Sequence, residues 1–199
     1  MSSLVVYTAP AVEPVTSTEA KLFARIDTSD DDALVTSLIA AARQMTETYT
    51  GRTWVHTTFD YYLDRLELET LGTQPIILPT CPLKASSTTI KYYDDDGTEN
   101  TFPAANYTAD VYSVPSRICL LSEQAYPSAV RDYNGLKVTF TAGYSADATS
   151  VPEAAKTAIK IMVADMYEHR EDEFIGTTTV KLSLGARAIL DPLKVRRFW

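Results

Sequence analysis

The chain contains few of the residues from which catalytic and nucleotide-binding sites are usually built. It has two histidines and seven glycines, and it contains no GxSxG, HExxH or glycine-rich phosphate loop. Its two cysteines, Cys81 and Cys119, lie outside any CxxC pair or metal-ligand spacing. His56 on a predicted strand and His169 in a charged helix end suit structural or surface roles. We therefore predict no catalytic residue, no cofactor and no metal site.

Positive charge and long apolar runs are also scarce. Lys and Arg number 18 against 26 Asp and Glu, so the formal net charge is −8. A protein that binds DNA regardless of sequence needs a cationic face, so this balance argues against one. An acidic wall can still line a path along which DNA slides. No segment could span a bilayer and the N-terminus lacks a signal peptide, so we expect a soluble protein made in a reducing compartment.

The hydrophobic fraction is 45% over 199 residues, which is enough for a real core. The first predicted helix begins with a capping box of Thr16 and Glu19. Leu22, Phe23 and Ile26 are expected to form its apolar face. This helix is short and ends before the acidic run at residues 27–32.

A second helix follows that acidic run and ends at Gly51, a suitable C-cap. Its predicted apolar stripe comprises Leu34, Leu38, Ala41 or Ala42, Met45 and Tyr49. A third helix is predicted from about Pro152 to Arg170, with a capping box of Ser150 and Glu153. Its apolar face comprises Ala155, Ile159, Val163 and Met166. Residues 182–190 can form a short terminal helix.

Between the helices the hydrophobic period changes to two. Residues 53–63 alternate in a β-favouring context, and six further strands are predicted at 76–78, 88–93, 98–102, 107–111, 117–121 and 136–141. Asp94 to Gly97 resembles a calcium loop, but its acidic residues are contiguous and do not match EF-hand spacing. We interpret it as a hairpin turn.

These elements predict an α+β fold. A small helical bundle, formed by the N-terminal helix pair and the later long helix, carries a long β-rich insertion and an extended C-terminal tail. The predicted parts are residues 1–52 (helical core), 53–149 (β insertion), 150–181 (core helix and linker) and 182–199 (docking tail).

Two segments are candidates for protein contacts. From residue 182 onward four basic residues oppose one acidic residue, and the chain finishes with Arg196, Arg197, Phe198 and Trp199 after Lys194. Arg and Trp often anchor interfaces. Asp30, Asp31 and Asp32 could contact another subunit or a metal, although a plain helix N-terminus also explains them.

The ordered set of motifs resembles the head–tail connector family of tailed bacteriophages, also called adaptor or head-completion proteins. The matching segments are Val15 to Lys21, Arg25-Ile26-Asp27, Asp31 to Leu34, Leu38 to Arg43, Tyr49 to Arg52, Val138 to Tyr144, Val151-Pro152, Tyr167 to Arg170 and Leu193 to Trp199. Residues 66–116 match least and are expected to distinguish a subgroup, such as the long-insert form of gene-transfer-agent-like particles.

The resemblance implies a non-enzymatic structural protein of the virion neck, present in the host cytoplasm before assembly. Such subunits form a ring, typically of twelve copies, below the portal protein. The ring extends the DNA channel without specific DNA binding and links the head to a stopper or tail-completion protein, with no membrane involved. Lys194, Arg196, Arg197, Phe198 and Trp199 would then dock on the portal, and Asp30 to Asp32 could lie between subunits.

Two alternatives remain at this point. The chain could be a stopper or tail-completion protein of the same particle, which would not bind the portal directly. It could instead be a small hydrolase or ligand-binding domain, which would require a deep cleft with converging polar groups.

Overall fold

The computed structural model describes residues 2–169 and 183–196. In that part of the chain the helices are α1 (Ser17–Ala24), α2 (Asp32–Thr50), α3 (Arg65–Leu71), α4 (Glu153–Glu168) and α5 (Leu184–Leu190). The strands are β1 (Ser3–Thr8), β2 (Thr57–Leu63), β3 (Ile76–Ile77), β4 (Thr89–Tyr93), β5 (Glu99–Thr101), β6 (Tyr107–Asp110), β7 (Arg117–Leu120) and β8 (Leu136–Ala142). Short 3-10 helices span Ala104–Asn106 and Asp191–Leu193. The predicted α+β class is confirmed.

The described chain divides into two compact units. The helical unit comprises residues 11–55 and 144–195 as far as they are described, and the β unit comprises residues 2–10, 56–143 and 196. Each unit has its own hydrophobic core. None of the helices in the described residues is both long and apolar enough to cross a membrane.

In the helical unit, α1, α2 and α4 pack on one another, and α5 packs on α4. Trp54 is fully buried in this core, where its ring stacks on that of Tyr144 with 6.0 Å between centroids. Thr16 and Glu19 form the predicted capping box of α1, and Gly51 ends α2 with a left-handed φ of 70°. The expected packing of the two N-terminal helices with the later long helix is therefore present.

The predicted apolar faces of the first two helices were partly wrong. Leu22 is 82% exposed and Phe23 is also exposed, whereas Ile26 is buried as expected. In α2 the buried stripe lies one residue later than predicted and comprises Val35, Ile39, Ala42, Arg43, Thr46 and Thr50. The polar members are tolerated because Thr46 and Thr50 donate hydrogen bonds to backbone carbonyls of their own helix.

The start of α4 also differs from the prediction. Pro152 is its N-cap residue, with no side-chain cap, so the predicted capping box of Ser150 and Glu153 does not form. The backbone N–H of Ser150 instead donates a hydrogen bond to the Ser145 hydroxyl oxygen at 3.2 Å. The buried face comprises Ala155, Ala158, Ile159, Met162 and Val163, and Met166 is only partly buried.

The β unit contains a five-stranded antiparallel sheet in the order β1-β2-β8-β4-β5 and a three-stranded antiparallel sheet in the order β3-β7-β6. On the central strand β8 every second residue is buried, as expected for a sheet with one covered face. Phe140 of β8 stacks on Phe59 of β2 with 5.7 Å between ring centroids. These two strands form the centre of the β-unit core.

Each strand predicted after residue 63 exists, with ends that differ by at most one residue. The long strand predicted at 53–63 begins only at Thr57, because Val55 instead forms a bridge to Ser145 within the helical unit. Strand β1 and helix α3 were not predicted. The turn from Asp94 to Gly97 is confirmed as a hairpin, in which Asp94 Oδ1 accepts a hydrogen bond from the Thr98 N–H at 2.8 Å.

Candidate docking surfaces

The start of the C-terminal tail is fixed to the end of α2. Helix α5 begins at Ser183, whose hydroxyl caps the Ala186 N–H at 3.3 Å, and it buries Ala186 and Leu190. Beyond it, the Val195 N–H donates to the Thr50 carbonyl at 2.8 Å. The Arg52 Nε donates to the Leu193 carbonyl at 2.5 Å. The chain therefore leaves the helical unit from a defined point.

Tyr49 organises the charged residues at this point. Its hydroxyl donates to Asp191 and accepts a hydrogen bond from Arg187 Nε at 3.1 Å. The ammonium of Lys194 lies 4.4 Å from the centroid of the Tyr49 ring, a cation–π distance. Tyr49 was predicted only as a member of the apolar stripe of α2. No sequence signal links it to residues about 140 positions away.

Two of the five predicted docking residues lie in the described part of the chain. The side chains of Lys194 and Arg196 are exposed. Arg197, Phe198 and Trp199 lie outside the described residues. The structure thus places two cations at the start of the candidate surface, and the assignment of all five residues to docking remains a prediction.

The acidic run before α2 is largely engaged inside the helical unit. Asp31 is the N-cap residue and accepts a hydrogen bond from the Tyr167 hydroxyl. Asp32 Oδ1 lies 2.6 Å from Lys21 Nζ, and Asp30 is exposed. A contact between subunits through this run stays a prediction, and Asp30 and Asp32 are its exposed members.

A polar network lies at the edge of the helical core and holds the segment after α2. The Arg43 guanidinium contacts Glu13 at 2.8 Å and Glu47 at 2.9 Å. Glu47 also accepts the Trp54 N–H at 2.9 Å, and Trp54 Nε1 donates to the Thr46 hydroxyl at 2.9 Å. Burial raises the pKa of Glu47 although these hydrogen bonds oppose that effect. The network is structural, because its groups are satisfied by one another.

The described surface offers little that resembles a reaction centre. Among residues 2–169 and 183–196, no group of three or more His, Cys, Asp or Glu side chains could hold a metal ion. An open groove beside α1 is lined by Thr18, Lys21, Leu22, Arg25, Ile26 and Asp27. Because Lys21 is paired with Asp32, the groove does not present a converging set of catalytic groups.

Residues 16–103 match the family described as phage gp6-like head-tail connector proteins. The predicted resemblance to head–tail connector proteins is thereby confirmed over this region. No curated protein matches the chain.

The fold is similar to that of solved chains from gene transfer agent (GTA) particles. A chain in the neck of an empty GTA particle with C6 symmetry has a TM-score of 0.80 at 21% identity, over 99% of this chain and 97% of that one. A chain in the virion of native GTA has a TM-score of 0.77 at 21% identity, over 98% and 97%. A chain in the neck of a native GTA particle with C12 symmetry has a TM-score of 0.66 at 20% identity, over 99% of this chain and 97% of that one.

Proposed function

We propose that this chain is a head–tail connector subunit of the virion neck, where copies form a ring below the portal protein. The ring would extend the DNA channel and link the head to a stopper or tail-completion protein. One observation carries the proposal: a connector-family match over residues 16–103 lies within a fold shared over 99% of the chain with a subunit of a particle neck.

The charge of the chain suits this role. With a net charge of −8, a ring of these subunits repels the DNA phosphates, so the polymer can slide through without being held. A closed ring also requires two different, complementary surfaces on each subunit. The proposal includes twelve copies of the chain in the assembled particle. It also keeps the division of the chain into four parts that was predicted from the sequence.

The C-terminal tail is proposed to dock on the portal. Lys194 and Arg196 project from an anchored start, and Arg197, Phe198 and Trp199 would complete the surface with one more cation and two aromatic rings. Adjacent aromatic side chains are costly to leave in water, and Trp and Arg are enriched where interfaces are strongest. A non-enzymatic role without cofactor or metal is likewise part of the proposal.

Deleting residues 196–199 tests the docking role while keeping Val195 and its hydrogen bond to Thr50. We expect unchanged thermal unfolding but loss of the chain from portal-bearing particles, measured by quantitative mass spectrometry and by electron microscopy of the neck. Direct binding to purified portal separates a connector from a stopper.

Single charge reversals provide a matched pair for the same assay. Arg196→Glu should weaken attachment, whereas Arg25→Glu, which also changes an exposed arginine, should not. Normal attachment of the truncated chain would contradict docking through the tail. Absence of the full-length chain from the neck would contradict the connector function itself.

A further inference from the structure

Strand β1 leaves an apolar sheet edge uncovered. All six of its residues are exposed, and four consecutive ones, Leu4, Val5, Val6 and Tyr7, are large and apolar. It is the end strand of the five-stranded sheet, and no described strand pairs with its outer side. An exposed, uncharged edge of this length is a template for pairing with another chain.

The apolar face of the sheet continues from the core onto β1. Val6 is paired with Phe59 and Leu4 with Tyr61, so each pair shares a face of the sheet. Phe59 is buried against Phe140, whereas Val6 is 55% exposed. The covering of this face within the described chain therefore ends before β1, and an apolar partner is needed to complete it.

The opposite edge of the same sheet is protected in the usual way. Strand β5 has only three residues, and its Glu99 pairs with Lys91 and Lys137. Short length and charge both discourage edge-to-edge pairing. Strand β1 is longer and carries no charged side chain, so only this edge of the sheet lacks protection against pairing.

We infer that β1 is the surface through which each subunit contacts a neighbouring copy of this chain. Residues 1–12 contain no charged residue, although 22% of the whole chain is charged. Copies that each carry a net charge of −8 repel one another, so they can approach most closely where charge is lacking. A partner attracted by opposite charge would instead favour the acidic surfaces.

The contact is expected to be heterologous, with β1 of one copy against a different surface of the next. A β1–β1 contact would close at a dimer, whereas a ring requires a head-to-tail arrangement. This inference rests on the proposed connector function, because it takes the neighbouring copy to be the next subunit of the ring.

Photo-crosslinking in assembled particles tests the inference. A benzoylphenylalanine probe replaces Tyr7, which is 70% exposed, or Tyr133, a 77% exposed control in the same unit. The Tyr7 probe should give crosslinked products with twice the mass of the chain and higher multiples. The crosslinked peptide should come from a part of the neighbouring copy other than β1. The Tyr133 probe should give no comparable ladder.

Tyr7→Lys and Tyr133→Lys form a second matched pair. Tyr7→Lys should remove the ring from the neck in electron micrographs, and Tyr133→Lys should retain it. Adducts of the Tyr7 probe with another protein, with residues 197–199 of its own chain, or with nothing would overturn the inference while leaving the connector function intact. Equal ladders from both probes, or a β1–β1 adduct, would also overturn it. If the chain is missing from the neck, both the proposed function and the inference fail.

Discussion

The helical unit and the β unit place their charged residues differently. In the helical unit Arg43 is 8% exposed and contacts two carboxylates, one of which also holds the backbone of the buried Trp54. In the β unit the ion pairs of Glu99 and Asp110 lie outside the apolar core, with Glu99 exposed and Asp110 half-buried. A buried cation with two carboxylate partners therefore helps to define the packing of the helical unit. The ion pairs of the β unit lie outside its core, where the buried Asp60 instead accepts a hydrogen bond from the Thr139 hydroxyl.

The largest effect is expected from Arg43→Met in the helical unit. This change leaves Glu13 and Glu47 without their cation, and removing one partner of a buried ion pair typically costs about 3–5 kcal/mol. The free energy of unfolding, measured with urea, should fall by about that amount. Arg117→Met, which breaks the exposed pair with Asp110, is the matched control and should change stability little. If both variants lower the free energy of unfolding equally, the two units do not differ in how much their ion pairs contribute to stability.

The deficit of Arg43→Met should also depend on pH. Burial raises the pKa of Glu47, so the folded state binds a proton more readily there than the unfolded state. Such a group contributes stability at low pH that is lost as the pH rises through its folded pKa. Without Arg43, which lowers the pKa of Glu47, that pKa should rise further. The free energy of unfolding of Arg43→Met should therefore approach that of the native chain as the pH falls below neutral. A gap that widens on acidification would contradict this interpretation.

An intermediate effect is expected from Thr46→Val, which strands the indole N–H of Trp54 in the core. An unsatisfied buried donor costs about 1–3 kcal/mol, so the urea midpoint should fall without a change in the slope of the transition. Thr58→Val is the matched control, because it removes a half-buried hydroxyl contact with Thr141 between two strands. If Thr58→Val lowers the free energy of unfolding as much as Thr46→Val does, hydroxyl hydrogen bonds contribute equally to the stability of both units.

The smallest effect is expected at the protected sheet edge. Hydrogen bonds from Lys91, Tyr93 and Lys137 lower the pKa of Glu99 to about 2 from 4.5. A carboxylate with a lowered pKa adds stability above its unfolded pKa, and this is lost as the pH falls toward the folded value. Glu99→Gln should therefore be slightly less stable than the native chain at pH 6 and indistinguishable near pH 2.

Thermal unfolding at several pH values measures this difference. Lys91→Met should shrink it by removing the first of the hydrogen bonds to Glu99. High salt should also reduce it, because the pair lies at the surface. A stability difference that persists unchanged at pH 2 would assign the effect of the substitution to something other than the charge of Glu99.

The sequence predicted the positions of α1, α2 and α4 and of most strands, because their caps and hydrophobic periods are local signals. It could not choose the buried stripe of α2, since Leu34 and Val35, or Leu38 and Ile39, offer two parallel apolar stripes one residue apart. On the stripe that is buried, the Thr46 hydroxyl accepts a hydrogen bond from the Trp54 indole N–H. That contact is tertiary and leaves no trace in periodicity.

Helix α3 and strand β1 were not predicted, and they differ in whether the sequence carries a local signal for them. Helix α3 carries a capping box of Asp64 and Glu67, so a local signal was present. Strand β1 has four consecutive apolar residues without alternation, which gives no strand period. The docking residues were suggested by composition and family resemblance, whereas the role of Tyr49 at the start of the tail required the structure.

The hydrogen bond between Val195 and Thr50 sets a limit on distance. A fully extended chain advances about 3.3–3.6 Å per residue, so the Cα of Trp199 can lie at most about 14 Å from that of Val195. The backbone of Trp199 must therefore bind its partner within that distance of Val195, which is hydrogen-bonded to the last residue of α2. In the proposed assembly the portal surface has to approach this end of the helical unit.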